Sequence, residues 1–175
     1  SNIGVSRVID ENYQHQPEKY VEGIYKLGIA TPLNLDIPGA AKKPNIRRPT
    51  KENWYKTALP WMSIGYETQV PPMNTLAFYN AIANNGVMVK PRFVKSIVKD
   101  GQVIEEIPTE VLNPAIASPK TIEQIQVILE KVVSEGLGKP AGSKQFHVSG
   151  KTGTAQVSKG SGGYKSGTMQ YLVSF

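Results

Sequence analysis

Between His147 and Val157 the sequence reads HVSGKTGTAQV, which puts a lysine, a glycine and two threonine hydroxyls into the run Lys151, Thr152, Gly153, Thr154. Two chemistries use such a run. In a phosphate-binding loop, G-x-x-x-x-G-K-[ST], successive backbone N–H groups wrap a phosphate before a helix begins. In an extended strand the side chains alternate, so Lys151 and Gly153 face one way and Thr152 and Thr154 the other. A fixed cation and hydroxyl donors then flank one edge, and Gly153 lets another backbone approach it closely. Such a strip suits a peptide and its terminal carboxylate.

The surrounding residues decide between them. Counting back from Gly150, the phosphate loop requires a glycine at the position held by Gln145. The following segment should be helical, yet Thr152, Thr154 and Val157 are β-branched and a glycine-rich stretch comes next. The strand reading fits: FHVSGKTGTAQVS and GTMQYLVSF read as two strands joined by the loop KGSGGYKSG.

The elements upstream are legible as punctuation. A helical pattern of Ile3, Val5, Val8 and Ile9 spans 2–10, and a second helix opens at Pro17 and ends at Gly28. Residues 29–70, rich in Pro, Gly and Asn, predict a long irregular excursion lining or covering a site. Pro71-Pro72 opens a buried helix with Leu76, Tyr79 and Ala83 on its inner face, stopped at Asn85-Gly86. Asp100-Gly101 between alternating runs predicts a surface hairpin over RFVKSIVKDGQVIEEI. Ser118 caps and Pro119 starts the longest helix, whose stripe of Ile122, Ile125, Ile128, Leu129, Val132 and Val133 faces a core until Gly136.

Composition excludes several classes. With 175 residues, 39% apolar and 19% charged, the chain suits one globular domain and neither a disordered tail nor a fibrous repeat. The absence of cysteine removes disulfides, thiolate metal sites and a cysteine nucleophile, and two histidines, His15 and His147, do not make a zinc site. The net charge of +6 suits an acidic partner. Its densest cluster, Lys42 to Arg48, is broken by proline and lacks stacking aromatics, so it reads as a solvated loop and not as a nucleic-acid surface. No apolar run reaches membrane-spanning length and no signal peptide is visible. Trp54, Trp61 and Tyr66 are aromatic candidates for a groove or for pinning the long loop, and Glu67 reads by default as an exposed charge.

K-T-G-T is the third motif of the penicillin-recognising serine acyltransferases, alongside S-x-x-K and S-x-N. SNIGVSR at the start resembles the S-x-N segment, and SIGYETQVPPMNTLAFYNAIANNGVMVKP resembles the passage between the second and third motifs of class B penicillin-binding proteins. With GKTGTAQ these stretches cover most of the chain in the family's order. One departure is Glu67, where many relatives have glycine. The resemblance implies an α+β fold of the penicillin-binding-protein and serine β-lactamase type, with residues 1–175 as a partial transpeptidase domain. On this reading the nucleophile segment and the last strand and helix lie outside the chain, whose edge strand would be free to pair.

It also implies roles. Ser1 matches the middle residue of S-x-N and Asn2 its asparagine, which holds the substrate amide; a Ser-Asn pair is equally what tag removal leaves, but Ile3-Gly4-Val5-Ser6 continues the pattern. Lys151 matches the strand lysine, Thr152 and Thr154 the carboxylate donors, Gly153 the strand glycine, and the Thr154 N–H one arm of the oxyanion hole. The only S-x-x-K, Ser96 to Lys99, falls in the predicted hairpin, where an odd separation sends the two side chains to opposite faces. The chain is therefore expected to hold no nucleophile and to be inactive alone. The implied whole is a peptidoglycan D,D-transpeptidase acting through an acyl-serine, or a non-catalytic peptide or β-lactam sensor of the same fold. It would need no metal or cofactor, bind D-Ala-D-Ala stem peptides and β-lactams, and work with division or elongation proteins. It would be held on the outer face of the bacterial cytoplasmic membrane.

Overall fold

The computed structural model describes residues 1–35, 37, 43–158 and 164–174, with side chains as far as residue 153. Helices α1 (Asn2–Tyr13), α2 (Pro17–Lys26), α3 (Ala58–Met62), α4 (Pro72–Ala83) and α5 (Pro119–Ser134) alternate with short antiparallel ribbons. Strand β1 (Asn45–Ile46) pairs with β2 (Thr68–Gln69), β3 (Met88–Val89) with β6 (Val111–Asn113), β4 (Ser96–Lys99) with β5 (Gln102–Glu106), and β7 (Lys151–Ser158) with β8 (Tyr164–Ser174). The chain divides into two compact units: Ser1–Ala81 with Val87–Ile116, and Ile82–Gly86 with Ala117–Phe175.

In the first unit Val21, Ala30, Ile46 and Met62 form a buried cluster, with Tyr20, Ile24, Tyr25 and Trp54 packed against it. Trp54 thus pins the long loop to the core. Burying Val21, Ile46 and Met62 stabilises by about 1.5–3 kcal/mol each. Helix α2 ends as its sequence predicts: Gly28 adopts φ +83, and a Cβ there would meet Met88 Sδ at 3.1 Å, so a side chain at this turn would be strained and would press on Met88. The 29–70 excursion is less irregular than predicted. It contains α3 and the β1–β2 ribbon, whose two-residue strands are too short to leave a periodic signal.

Helix α4 corrects the predicted inner face. Leu76 is 50% exposed and Ala83 is exposed, whereas Asn74, Ala77, Ala81 and Ile82 are buried. Small alanines allow close approach, and Asn74 is satisfied by donating to the carbonyls of Ile29 (3.2 Å) and Thr31 (2.7 Å). The β4–β5 hairpin is as expected: Asp100 (φ 52) and Gly101 (φ 78) both turn through the left-handed region, which a two-residue loop of this twist requires.

In the second unit α5 starts where expected, with Ser118 Oγ accepting the Thr121 N–H at 3.2 Å. Ile122, Leu129 and Val133 are buried, but Ile128 is 56% exposed and falls off the predicted stripe. Gly86, at φ +91, lies so close to the helix that a Cβ would meet Ile122 Cγ1 at 3.2 Å. Strand β7 begins at Lys151, five residues later than the predicted strand, so 146–150 lead into it without pairing. Strand β8 already includes Tyr164 to Gly167, which the sequence placed in the loop; the remainder of that loop and the side chains of Tyr171 and Val173 lie outside the described residues.

Candidate functional site

Two groups of predicted site residues are found, one in each unit. In the first, Ser1 caps α1, its Oγ accepting the Gly4 N–H at 3.4 Å, and Asn2 is the first helical residue, exposed at the positive end of the helix. The helix is held against α3 by hydroxyls. Ser6 Oγ donates to the Pro60 carbonyl (3.1 Å), and Ser63 Oγ lies 3.1 Å from Ser6 Oγ and 2.6 Å from the same carbonyl. Asn2 borders a cavity of about 490 Å3 between these helices, together with Ile3, Asp10, Pro60 and Trp61.

Glu67, read from the sequence as an exposed charge, is instead bonded on both sides. Its carboxylate lies 2.5 Å from Arg47 Nε and accepts from the Tyr55 hydroxyl, and its side chain is 15% exposed. Arg47 also donates through NH1 to the Asn53 carbonyl (3.0 Å) and stacks over the Tyr55 ring at 5.5 Å. Arg48 lies over Tyr25 at 4.1 Å. Part of the basic cluster predicted as solvated is therefore committed to holding the β1–β2 ribbon, which the backbone bond from Arg47 N–H to the Glu67 carbonyl prolongs (3.1 Å). The φ of 60 at Glu67 is a left-handed conformation that glycine tolerates best.

In the second unit Lys151, Thr152 and Gly153 open β7, paired with Ser174, Val173 and Leu172 of β8, and Thr154 pairs with Tyr171. Among the described residues the other edge of β7 carries no partner strand. Lys151 is exposed and its Nζ donates to the Thr152 carbonyl at 2.7 Å, while Thr152 and Gly153 are half-buried. Strand alternation puts Lys151 and Thr152 on opposite faces, as predicted; the side chain of Thr154 lies outside the described residues. The strand start is tethered to α5 by the Gly150 N–H, which donates to the Leu129 carbonyl (3.1 Å), and by His147 Nδ1, 2.7 Å from Glu130 Oε1. Lys151 opens a strand that runs to Ser158 where a phosphate loop would lead into a helix, which removes the phosphate-loop reading. Ser96 and Lys99, the S-x-x-K of the sequence, sit on β4 opposite Glu106 and Gln102. No group of metal-ligating side chains occurs among the described residues.

The family model described as penicillin binding protein transpeptidase domain matches residues 1–175, and the chain belongs to that family. It is 30% identical to penicillin-binding protein PbpB of Mycolicibacterium smegmatis over 80% of this chain and 22% of that protein. It is 31% identical to the probable peptidoglycan D,D-transpeptidase PbpC of Pseudomonas aeruginosa over 93% of this chain and 26% of that one. The crystal structure of penicillin binding protein 3 from Mycobacterium tuberculosis complexed with aztreonam superposes with a TM-score of 0.76 at 26% identity, covering 98% of this chain and 38% of that chain. The family and the α+β transpeptidase fold expected from the order of the motifs are thereby borne out; the chain spans about a quarter of the length of these curated relatives.

Proposed function

We propose that these residues form part of a peptidoglycan D,D-transpeptidase, in which a serine is acylated by a stem peptide ending in D-Ala-D-Ala and the acyl group passes to a second peptide. In this role Lys151 attracts the terminal carboxylate, Thr152 and Thr154 donate to it, and Asn2 holds the substrate amide beside Ser1. The Thr154 N–H supplies one arm of an oxyanion hole, an interaction worth about 2.7–4 kcal/mol of transition-state stabilisation in acyl transfer. β-Lactams, which present a carboxylate beside a strained amide, fit the same strip.

The observation that carries the reading is the geometry of β7: an extended edge beginning at Lys151, bound on one side by β8 and without a partner strand on the other among the described residues. Main-chain donors and acceptors along such an edge take up an extended peptide. The attacking serine is not assigned within 1–175, because Ser96 and Lys99 project to opposite faces of β4 and the lysine cannot serve the hydroxyl. On this reading the whole protein acts on the outer face of the cytoplasmic membrane through a serine and an anchor that other residues supply, in concert with division or elongation proteins; no described helix is long and apolar enough to cross a membrane.

Labelling with a fluorescent penicillin tests this. The whole protein is expected to take up label covalently and residues 1–175 alone are not; a labelled side chain inside 1–175 overturns the assignment. In the whole protein Lys151→Met should slow acylation by about 10- to 150-fold, the loss of charge-assisted hydrogen bonds of about 1.5–3 kcal/mol, with an unchanged melting temperature.

A further inference from the structure

The approach to β7 is held by a pair of side chains that the grip on a carboxylate does not itself use. From Gly142 to Val148 the chain runs beside the C-terminal end of α5, with a cavity of about 250 Å3 between them that Glu130, Val133 and Ser134 border from the helix. Residues 142–147 are exposed, and their one large apolar side chain, Phe146, is 71% exposed. Apolar packing therefore does little to locate this segment.

Hydrogen bonds locate it instead. Ser143 Oγ accepts the N–H groups of Gln145 (3.1 Å) and Phe146 (3.3 Å). His147 Nδ1 lies 2.7 Å from Glu130 Oε1, and because an ionised carboxylate only accepts, Nδ1 carries the proton in this pair. Three residues on, the buried Gly150 donates its N–H to the Leu129 carbonyl at 3.1 Å. Neighbouring positions of one helix thus grip both ends of the span 147–150, and Lys151 is the next residue. Two attachments fix the rotation of the entering chain as well as its place, and the direction in which the Lys151 side chain leaves the strand follows from that rotation. Among the described residues the Lys151 ammonium bonds only within its own strand, to the Thr152 carbonyl, so its aim is set by the backbone that carries it.

We propose that His147 and Glu130 are positioning residues for Lys151: their hydrogen bond holds the entry to β7 at the angle that points the ammonium at the substrate carboxylate. The proposal rests on the transpeptidase reading for the role of Lys151. Without the bond, Gly150 is left as a single pivot about which the entry rotates, and the lysine must be oriented when the substrate arrives instead of beforehand. The two side chains are 92% and 43% exposed, so their bond adds little to the stability of the fold and its loss is felt as misalignment.

The rate of acylation of the whole protein by benzylpenicillin and by its methyl ester tests the assignment, because only the free acid offers Lys151 a charge. His147→Ala should slow the acid by about three- to fivefold, the range an exposed hydrogen-bonded pair supplies, and leave the ester unchanged. His147→Asn, whose amide N–H can donate from the place of Nδ1, should restore the acid rate. Glu130→Ala should reproduce the loss, and the double variant should be no slower than either single one. In a Lys151→Met protein, His147→Ala should change nothing further. Equal slowing of acid and ester, no slowing of either, additive losses in the double variant or failure of asparagine to rescue overturns the proposal. The two readings separate on the unmutated protein: absence of acylation sinks the transpeptidase reading and this proposal with it, whereas normal acylation with no acid-specific loss in His147→Ala sinks the positioning role alone.

Discussion

The glutamate at position 67 holds a left-handed backbone conformation that ordinary side chains rarely adopt. A left-handed backbone costs an ordinary residue about 1–2 kcal/mol, a cost glycine avoids, and here it is offset by the carboxylate's bonds to Arg47 and the Tyr55 hydroxyl. Two substitutions separate the terms. Glu67→Ala should lose the bonds and keep the strain, lowering stability in urea denaturation by about 1–2 kcal/mol, since Arg47 is partly exposed and regains water. Glu67→Gly should lose the bonds but shed the strain, and should be the milder change by up to about 1 kcal/mol even after the entropy glycine adds to the unfolded chain. Equal losses would mean that the backbone conformation carries no strain. Nothing in the residue's type reveals its partners: Arg47, Tyr55 and Glu67 are separated along the chain and meet only because β1 pairs with β2.

The elements differ in how openly their sequences announce them. Helix α5 and the β4–β5 hairpin carry local signals, a Ser-Pro start and an Asp-Gly turn, whose physics is complete within a few residues, and both form where expected. Ser118→Ala should therefore cost about 1 kcal/mol in thermal or urea unfolding through the lost cap, whatever the helix packs against. Strand β7 is different. The run from Phe146 alternates well enough to read as a strand, yet the described pairing starts at Lys151, and the preceding segment is tied instead to α5 through Gly150 and His147. Helix α4 shows the same limit: its all-round apolar composition cannot say which face is inner, and the buried face is chosen by alanines and an asparagine that the loop after α2 requires.

At the scale of the whole molecule, burial makes part of the stability depend on alkaline pH. Tyr20 is raised above the ordinary phenol value by burial first and by neighbouring Tyr13 second, and Tyr79 by burial. The folded state thus holds these phenols protonated at pH values where the unfolded chain releases the proton. Their contribution is intact below about pH 10 and falls as pH rises through their folded values. Tyr20→Phe and Tyr79→Phe should each flatten the loss of melting temperature above pH 10, and an unchanged alkaline slope would exclude these residues as its cause. What the sequence by itself determined was the family, through motif order, and the helices and turns whose caps, prolines and left-handed glycines act locally. Only the tertiary structure decided which apolar faces are inner, that Glu67 is bonded, where β7 begins and that Asp10 shares a cavity with Asn2 and Trp61, because each depends on contacts between residues far apart in the chain, which no local pattern encodes.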